Sequence, residues 1–177
     1  MMKMQTILIF LSAVMFVSCG EKSLQKYLVE KQDDPGFLKM DVSPSLLQGK
    51  ESKMSKESEE ALKSIKKINV IAYPVKEGNQ EDFILEKTEI ESILSDNRYQ
   101  ELTRIKNQEW SLNVSYTGTD TKIDEVIVYG VDDSRGFALF RLLGNNLKPG
   151  QLSSIIQAVS QGDIDLSGIT GLEEIFR

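Results

Sequence analysis

The chain contains no histidine and only one cysteine, Cys19. These shortages exclude Ser-His-Asp and Cys-His catalytic groups, as well as the usual zinc sites built from histidine and cysteine. With a single cysteine no disulfide can form within the chain, so packing alone must hold the domain together. A glycine-rich phosphate-binding loop is also missing. We therefore predict a non-enzymatic protein without a cofactor or a metal ion.

Basic residues are also fewer than acidic residues. Lysine and arginine total 21 residues against 27 aspartates and glutamates, which gives a net charge of −6. Nucleic-acid binding needs a basic face, so the sequence indicates no nucleic-acid partner. An acidic domain is also repelled by anionic lipid, so we expect any membrane contact to depend on an attached lipid.

A long hydrophobic run is absent too. The apolar stretch at residues 5–17 is shorter than the roughly 20 residues that a transmembrane helix needs. It follows a short basic head containing Lys3 and ends in Ser18-Cys19-Gly20, an arrangement typical of an export signal. That exit resembles a bacterial lipobox, which implies lipidation of Cys19. The alternatives are an ordinary cleaved signal that leaves a free thiol, or a short uncleaved anchor.

These features predict the domain organisation. Residues 1–18 are expected to be a lipoprotein signal peptide, residues 19–23 the lipidated cysteine with a short tether, and residues 24–177 a single domain. Gly20, rather than Asp, follows the cysteine, which favours the outer membrane of the cell envelope. The four tether residues after Cys19 reach at most about 14 Å, so the domain should lie close to the bilayer.

Hydrophobic periodicity outlines the first half of the domain. Ser23 is a plausible N-cap for a helix that buries Leu24, Tyr27 and Leu28. The spacing Thr88-x-x-Glu91 predicts the start of a second helix. The other predicted elements are strands over 37–42 and 68–75, a brief helix after Ser43, a helix burying Leu62 and Ile65, and a helix capped by Asp96 with Tyr99, Leu102 and Ile105 on one side.

The second half gives the clearest signal of fold. Period-two alternation predicts a strand with Trp110, Leu112, Val114 and Tyr116 in the core and with Ser111, Asn113 and Ser115 facing away. Two further strands, over 126–131 and 137–143, follow after short turns, and a helix follows them. We expect an α+β fold: an antiparallel β-meander sheet with helices packed mainly on one face. The Ser/Asn side of the first strand is the candidate partner surface.

Several segments resemble one known family. They are 23–27 with 29–32, 60–67, 98–102, 123–126, and 136–139 with 143–144. The chain resembles, over roughly residues 19–177, the Gram-negative lipoprotein family catalogued as domain of unknown function 4252. The resemblance implies an envelope lipoprotein and brings no catalytic residues.

Acidic residues are the only candidates for catalysis or metal binding. Five of them lie in or beside the meander turns: Asp120, Asp124, Glu125, Asp132 and Asp133. Two could form a hydrolase pair, but turn formation and solubility explain all five. Asp163, Asp165, Ser167, Gly168 and Glu174 fit the spacing of an EF-hand calcium loop. The apolar residues between them favour a buried C-terminal turn and short helix instead.

Three functions remain open. We favour an envelope lipoprotein that binds a partner protein in a structural or signalling role, which a shallow apolar surface patch would support. A lipid- or small-ligand-binding module would need a deep apolar pocket. A hydrolase would need two convergent carboxylates with raised pKa values.

Overall fold

A computed structural model describes residues 22–47, 55–76 and 78–160. In the described part, six strands form one antiparallel sheet. They are β1 (Leu38–Val42), β2 (Ile65–Pro74), β3 (Gln100–Lys106), β4 (Trp110–Thr119), β5 (Lys122–Asp132) and β6 (Gly136–Leu147), in the spatial order β1-β2-β6-β5-β4-β3. The α-helices are α1 (Leu24–Glu30), α2 (Lys56–Lys63), α3 (Gln80–Leu94) and α4 (Pro149–Ser160), and a 3₁₀ helix covers Pro44–Leu47. The predicted α+β class and antiparallel meander are confirmed.

One face of the sheet is covered by α1 and α3. Phe83, Ile90 and Ile93 of α3 are buried against this face, as are Leu24 and Tyr27 of α1. The sheet contributes alternate residues of its central strands: Ile71, Tyr73, Ile127, Tyr129, Phe137 and Leu139. The predicted N-cap of α1 is confirmed, because the Ser23 hydroxyl accepts a hydrogen bond from the Lys26 amide at 3.2 Å.

The opposite face is covered by α2 and α4. Ala61 and Leu62 of α2 and Leu152 of α4 are buried in one cluster on this side. The strand residues of that cluster include Ile68, Val70, Val114, Val126 and Leu147. The prediction that helices pack mainly on one face is therefore wrong in this respect. A strand that is apolar on both sides, as β5 is, must be covered on both sides to remove its side chains from water.

A charged group is also buried on the α1/α3 face. Arg141 of β6 is 9% exposed, and its Nε atom donates to Glu125 of β5 at 2.5 Å. Its Nη1 atom donates to the Gln25 side chain of α1 at 2.5 Å. This network joins α1 to the centre of the sheet, and its charge is compensated within the fold.

Two predicted helix starts are wrong. Helix α3 begins at Gln80, so Thr88 lies inside it, where its hydroxyl donates to the Ile84 carbonyl at 2.7 Å. Asp96 caps a turn through the Arg98 amide, and strand β3 follows it in place of a helix. The Thr88 pattern falls inside a longer helix, and pairing of β3 with β4 overrode the helical spacing after Asp96.

Candidate functional site

Two sets of predicted site residues lie outside the described residues. These are the predicted lipidation site, Cys19, and the calcium-like spacing from Asp163 to Glu174. No group of three or more histidine, cysteine or acidic residues that could hold a metal ion occurs within the described ranges. No helix in those ranges is long and apolar enough to cross a membrane.

Four of the five acidic residues beside the meander turns make separate contacts, and Asp120 is exposed between β4 and β5. Glu125 binds Arg141, and Asp133 accepts a hydrogen bond from the Lys87 ammonium at 2.6 Å. Asp124 pairs with Lys122 at 3.1 Å. The Ser134 hydroxyl, donating to Asp132, lowers the pKa of that carboxyl. Because this contact favours the ionised form of Asp132, that carboxyl suits a structural role better than that of a general acid, which needs a raised pKa.

Strand β4 has the predicted alternation, but the burial of two of its residues differs from the prediction. Val114 is buried and Leu112 half-buried on the α2/α4 face, whereas Trp110 is 41% exposed. On the other face Ser115 is only 2% exposed. The prediction that Trp110 lies in the core and Ser115 faces solvent is therefore wrong.

An apolar groove lies on the α2/α4 face, at the Trp110 end of the sheet. Its volume is about 350 Å³, and Trp110, Leu112, Val128, Gly130, Ala138 and Phe140 line it. The pairing register explains its shape, since Leu112 lies opposite Gly130 and Gly130 lies opposite Ala138. Gly130 and Ala138 are small residues on neighbouring strands, so a depression forms between the larger side chains around them. We call this feature the apolar groove.

Strand β3 lies next to the groove strand β4, at the edge of the sheet. Ile105 pairs with Leu112 and is 49% exposed. All seven residues of β3 are exposed, so this edge strand has little cover from the described part of the chain. Sequence reasoning missed β3 because burial imposes no alternation on a strand that is exposed on both faces.

A polar cleft lies on the opposite, α1/α3 face between α3 and strands β3 to β5. Its volume is about 630 Å³. Glu101 and Arg104 form an ion pair at its rim, and the hydrogen bond from Arg104 lowers the pKa of the Glu101 carboxyl. Asn113 also donates to Glu101, at 2.9 Å. We call this feature the polar cleft.

Two hydroxyl groups at this cleft lack a hydrogen-bond partner within the described residues. They are Ser115 Oγ and the Tyr129 hydroxyl, and both atoms are buried. Burial raises the pKa of Tyr129, so its hydroxyl stays protonated at neutral pH. Buried polar atoms usually find a partner, so these two hydroxyls mark the cleft as a second candidate site.

Contacts near the start of the domain show where the two features lie relative to the predicted tether. The Leu24 amide, just after the predicted tether, donates to the Tyr99 hydroxyl at 3.4 Å, and Lys22 pairs with Glu89 at 3.2 Å. Tyr99 immediately precedes β3, whose first residue pairs with Tyr116. Trp110 lies six residues from Tyr116 along β4, which corresponds to about 20 Å. The apolar groove is thus displaced from the point where the chain leaves for its predicted anchor.

The fold and the two surfaces define an α+β domain with a six-stranded antiparallel sheet covered by helices on both faces. The sequence profile of the family described as a domain of unknown function (DUF4252) matches residues 27–155. The chain therefore belongs to that family, as the resemblance of its segments implied. No curated protein and no solved structure matches the chain.

Proposed function

We propose that this chain is a lipid-anchored lipoprotein of the cell envelope that binds a partner protein through the apolar groove. Trp110 supports this proposal most directly. It is the only tryptophan of the chain and is 41% exposed beside a groove with an apolar lining. Exposed aromatic side chains at the margin of an apolar depression are typical of protein interfaces.

The rest of the molecule is consistent with a binding role. The groove is built on strands β4, β5 and β6, which lie inside the sheet, so its walls are held by backbone pairing on both sides. A rigid scaffold limits the conformational entropy that is lost when a partner binds. The lipid at Cys19 would keep the domain in the envelope, and the short tether would keep it near the membrane.

Site-specific photo-crosslinking tests this proposal. A photoreactive phenylalanine analogue at Trp110 in the full chain should capture a partner protein in living cells. The same analogue at Leu85 serves as the matched control, because Leu85 is a 67% exposed apolar residue on α3. Equal capture from both positions, or no capture from position 110, would refute binding through the groove.

A second candidate function is supported by the polar cleft. The buried hydroxyls of Ser115 and Tyr129, which have no hydrogen-bond partner among the described residues, suit a small polar molecule, so ligand binding is the alternative role. Native mass spectrometry of the chain purified from cells tests it. A bound molecule that is present in the wild type and absent from Ser115→Val would support this function, whereas two ligand-free spectra would count against it.

A further inference from the structure

Strand β3 forms one lateral edge of the sheet in the described part of the chain. The other edge strand, β1, is shorter, with five residues against seven. Lys39 of β1 donates to the carbonyl groups of Lys31, Gln32 and Asp34, which ties that edge to the preceding turn. β3 thus offers the longer and less covered row of backbone groups.

The hydrogen-bonding pattern of the β3–β4 hairpin shows which residues of β3 direct their backbone amide and carbonyl groups away from β4. The Asn107 amide donates to the Trp110 carbonyl at 3.0 Å, so these residues form a hydrogen-bonded pair. Bonded and non-bonded pairs alternate along an antiparallel ladder. Ile105, opposite Leu112, therefore bonds to β4, whereas Arg104 and Lys106 direct their amide and carbonyl groups away from it.

The two faces of the same strand differ in chemistry. Ile105 and Thr103 lie beside Leu112 and Val114, on the face with the apolar groove. Arg104 and Lys106 lie beside Asn113 and Ser111, on the face with the polar cleft. An extended segment added to this edge would meet apolar side chains on one side and the Lys106 ammonium on the other, where Arg104 is already paired with Glu101.

This pattern disfavours pairing between two copies of the chain. In an antiparallel edge-to-edge dimer, the outward-pointing residues of one copy pair with those of the other. Registers centred on residues 104 to 106 would place Lys106 or Arg104 opposite a second basic residue. Like charges directly opposite each other destabilise a sheet. These registers are therefore disfavoured, whereas a strand with an acidic residue opposite Lys106 is favoured.

We propose that the partner binds by adding an extended segment to β3, with apolar side chains towards Ile105 on the groove face and an acidic side chain towards Lys106 on the other face. This inference rests on the proposed function and specifies its geometry. Backbone hydrogen bonds to residues 104 and 106 supply affinity, and the alternation of side chains supplies specificity.

Proline substitution separates the backbone contribution from the charge. Lys106→Pro removes an outward amide that β4 does not use, and edge strands tolerate proline at such positions. Lys106→Gln is the matched control, because it removes the charge and keeps the amide. With a photoreactive analogue at Ile105 of the full chain, capture should fall about tenfold or more in Lys106→Pro and less in Lys106→Gln.

Mass spectrometry of the crosslink identifies the occupant. We expect a segment of another protein in which acidic and apolar residues alternate. A crosslink to residues 161–177 of the same chain or to a second copy would overturn the proposal. Lys106→Glu supplies an independent test, should the proline variant fail to fold. It keeps the amide, reverses the charge and should also reduce capture, so unchanged capture in Lys106→Glu would contradict the proposed charge pairing.

Failure of this inference can be told apart from failure of the proposed function. If the analogue at Trp110 still captures its partner in the Lys106→Pro background, the partner uses the groove and strand addition is wrong. If neither position 105 nor position 110 captures a protein, partner binding at this end of the sheet is itself refuted.

Discussion

Removal of the Ser115 hydroxyl should stabilise the domain. Ser115 is 2% exposed, and its Oγ atom has no hydrogen-bond partner within the described residues. An unsatisfied buried polar group costs about 1–3 kcal/mol, and Ser115→Ala abolishes that cost. The small void left by the missing oxygen reduces this gain by only a few tenths of a kcal/mol. We expect a net gain of about 1–2 kcal/mol, which is a large fraction of the roughly 5–15 kcal/mol typical of a domain.

Urea denaturation followed by far-ultraviolet circular dichroism measures this change, with the midpoint raised and the slope unchanged. Ser111→Ala is the matched control, because Ser111 lies on the same face of β4 but is only half-buried. Its free energy of unfolding should change by less than about 0.5 kcal/mol. Destabilisation of Ser115→Ala by more than that would refute the reasoning, since it would mean that the hydroxyl has a partner such as a bound ligand.

Four further predictions concern separate features of the molecule. Cys19→Ser should abolish lipidation, as metabolic fatty-acid labelling would show; a wild-type chain that takes up no label would contradict the predicted anchor. The Asp163–Glu174 segment should bind no calcium at physiological levels, and a micromolar dissociation constant in titration calorimetry that Glu174→Ala abolishes would overturn this. Leu139→Ala should cost about 2–5 kcal/mol because Leu139 is fully buried, whereas Leu112→Ala should cost less because Leu112 is half-buried; equal losses in chemical denaturation would mean that the groove is covered. Glu125→Leu should cost about 3–5 kcal/mol because it leaves Arg141 buried without its counter-ion, and Glu125→Leu combined with Arg141→Met should recover most of that loss; a double-mutant cycle with no coupling would disprove the assigned pair.

The strands of the meander could be predicted from local pattern because their side chains are sorted by burial. Alternation in β4 and the double-sided apolar run of β5 both follow from the two-residue period of an extended chain. The predicted strand over 126–131 lies within β5, which extends over Lys122–Asp132. Boundaries were less predictable, because backbone pairing continues into polar residues that carry no hydrophobic signal.

The missed element, β3, shows the limit of that approach. Tyr99, Leu102 and Ile105 have a three-residue spacing that indicates a helix face, yet only Tyr99 is buried. Leu102 and Ile105 are 43% and 49% exposed, so their spacing does not record a buried surface. What fixes β3 is its pairing with β4, which no pattern inside residues 100–106 specifies.

The apolar groove depended on tertiary structure for the same reason. Leu112, Gly130 and Ala138 are unremarkable in sequence, and only the register of three strands places them side by side. The burial of Ser115, whose hydroxyl has no hydrogen-bond partner among the described residues, likewise depends on tertiary packing over a strand face that the sequence pattern alone marks as polar.

The sequence by itself determined the acidic charge, the absence of histidine and the α+β class, because these depend on composition or on short-range periodicity. It also predicts lipid attachment at Cys19. Tertiary structure decided which strand forms the edge, which face each helix covers and where the groove and the cleft lie. Those features depend on contacts between residues far apart in the chain, and local preferences are too weak to choose among the possible pairings.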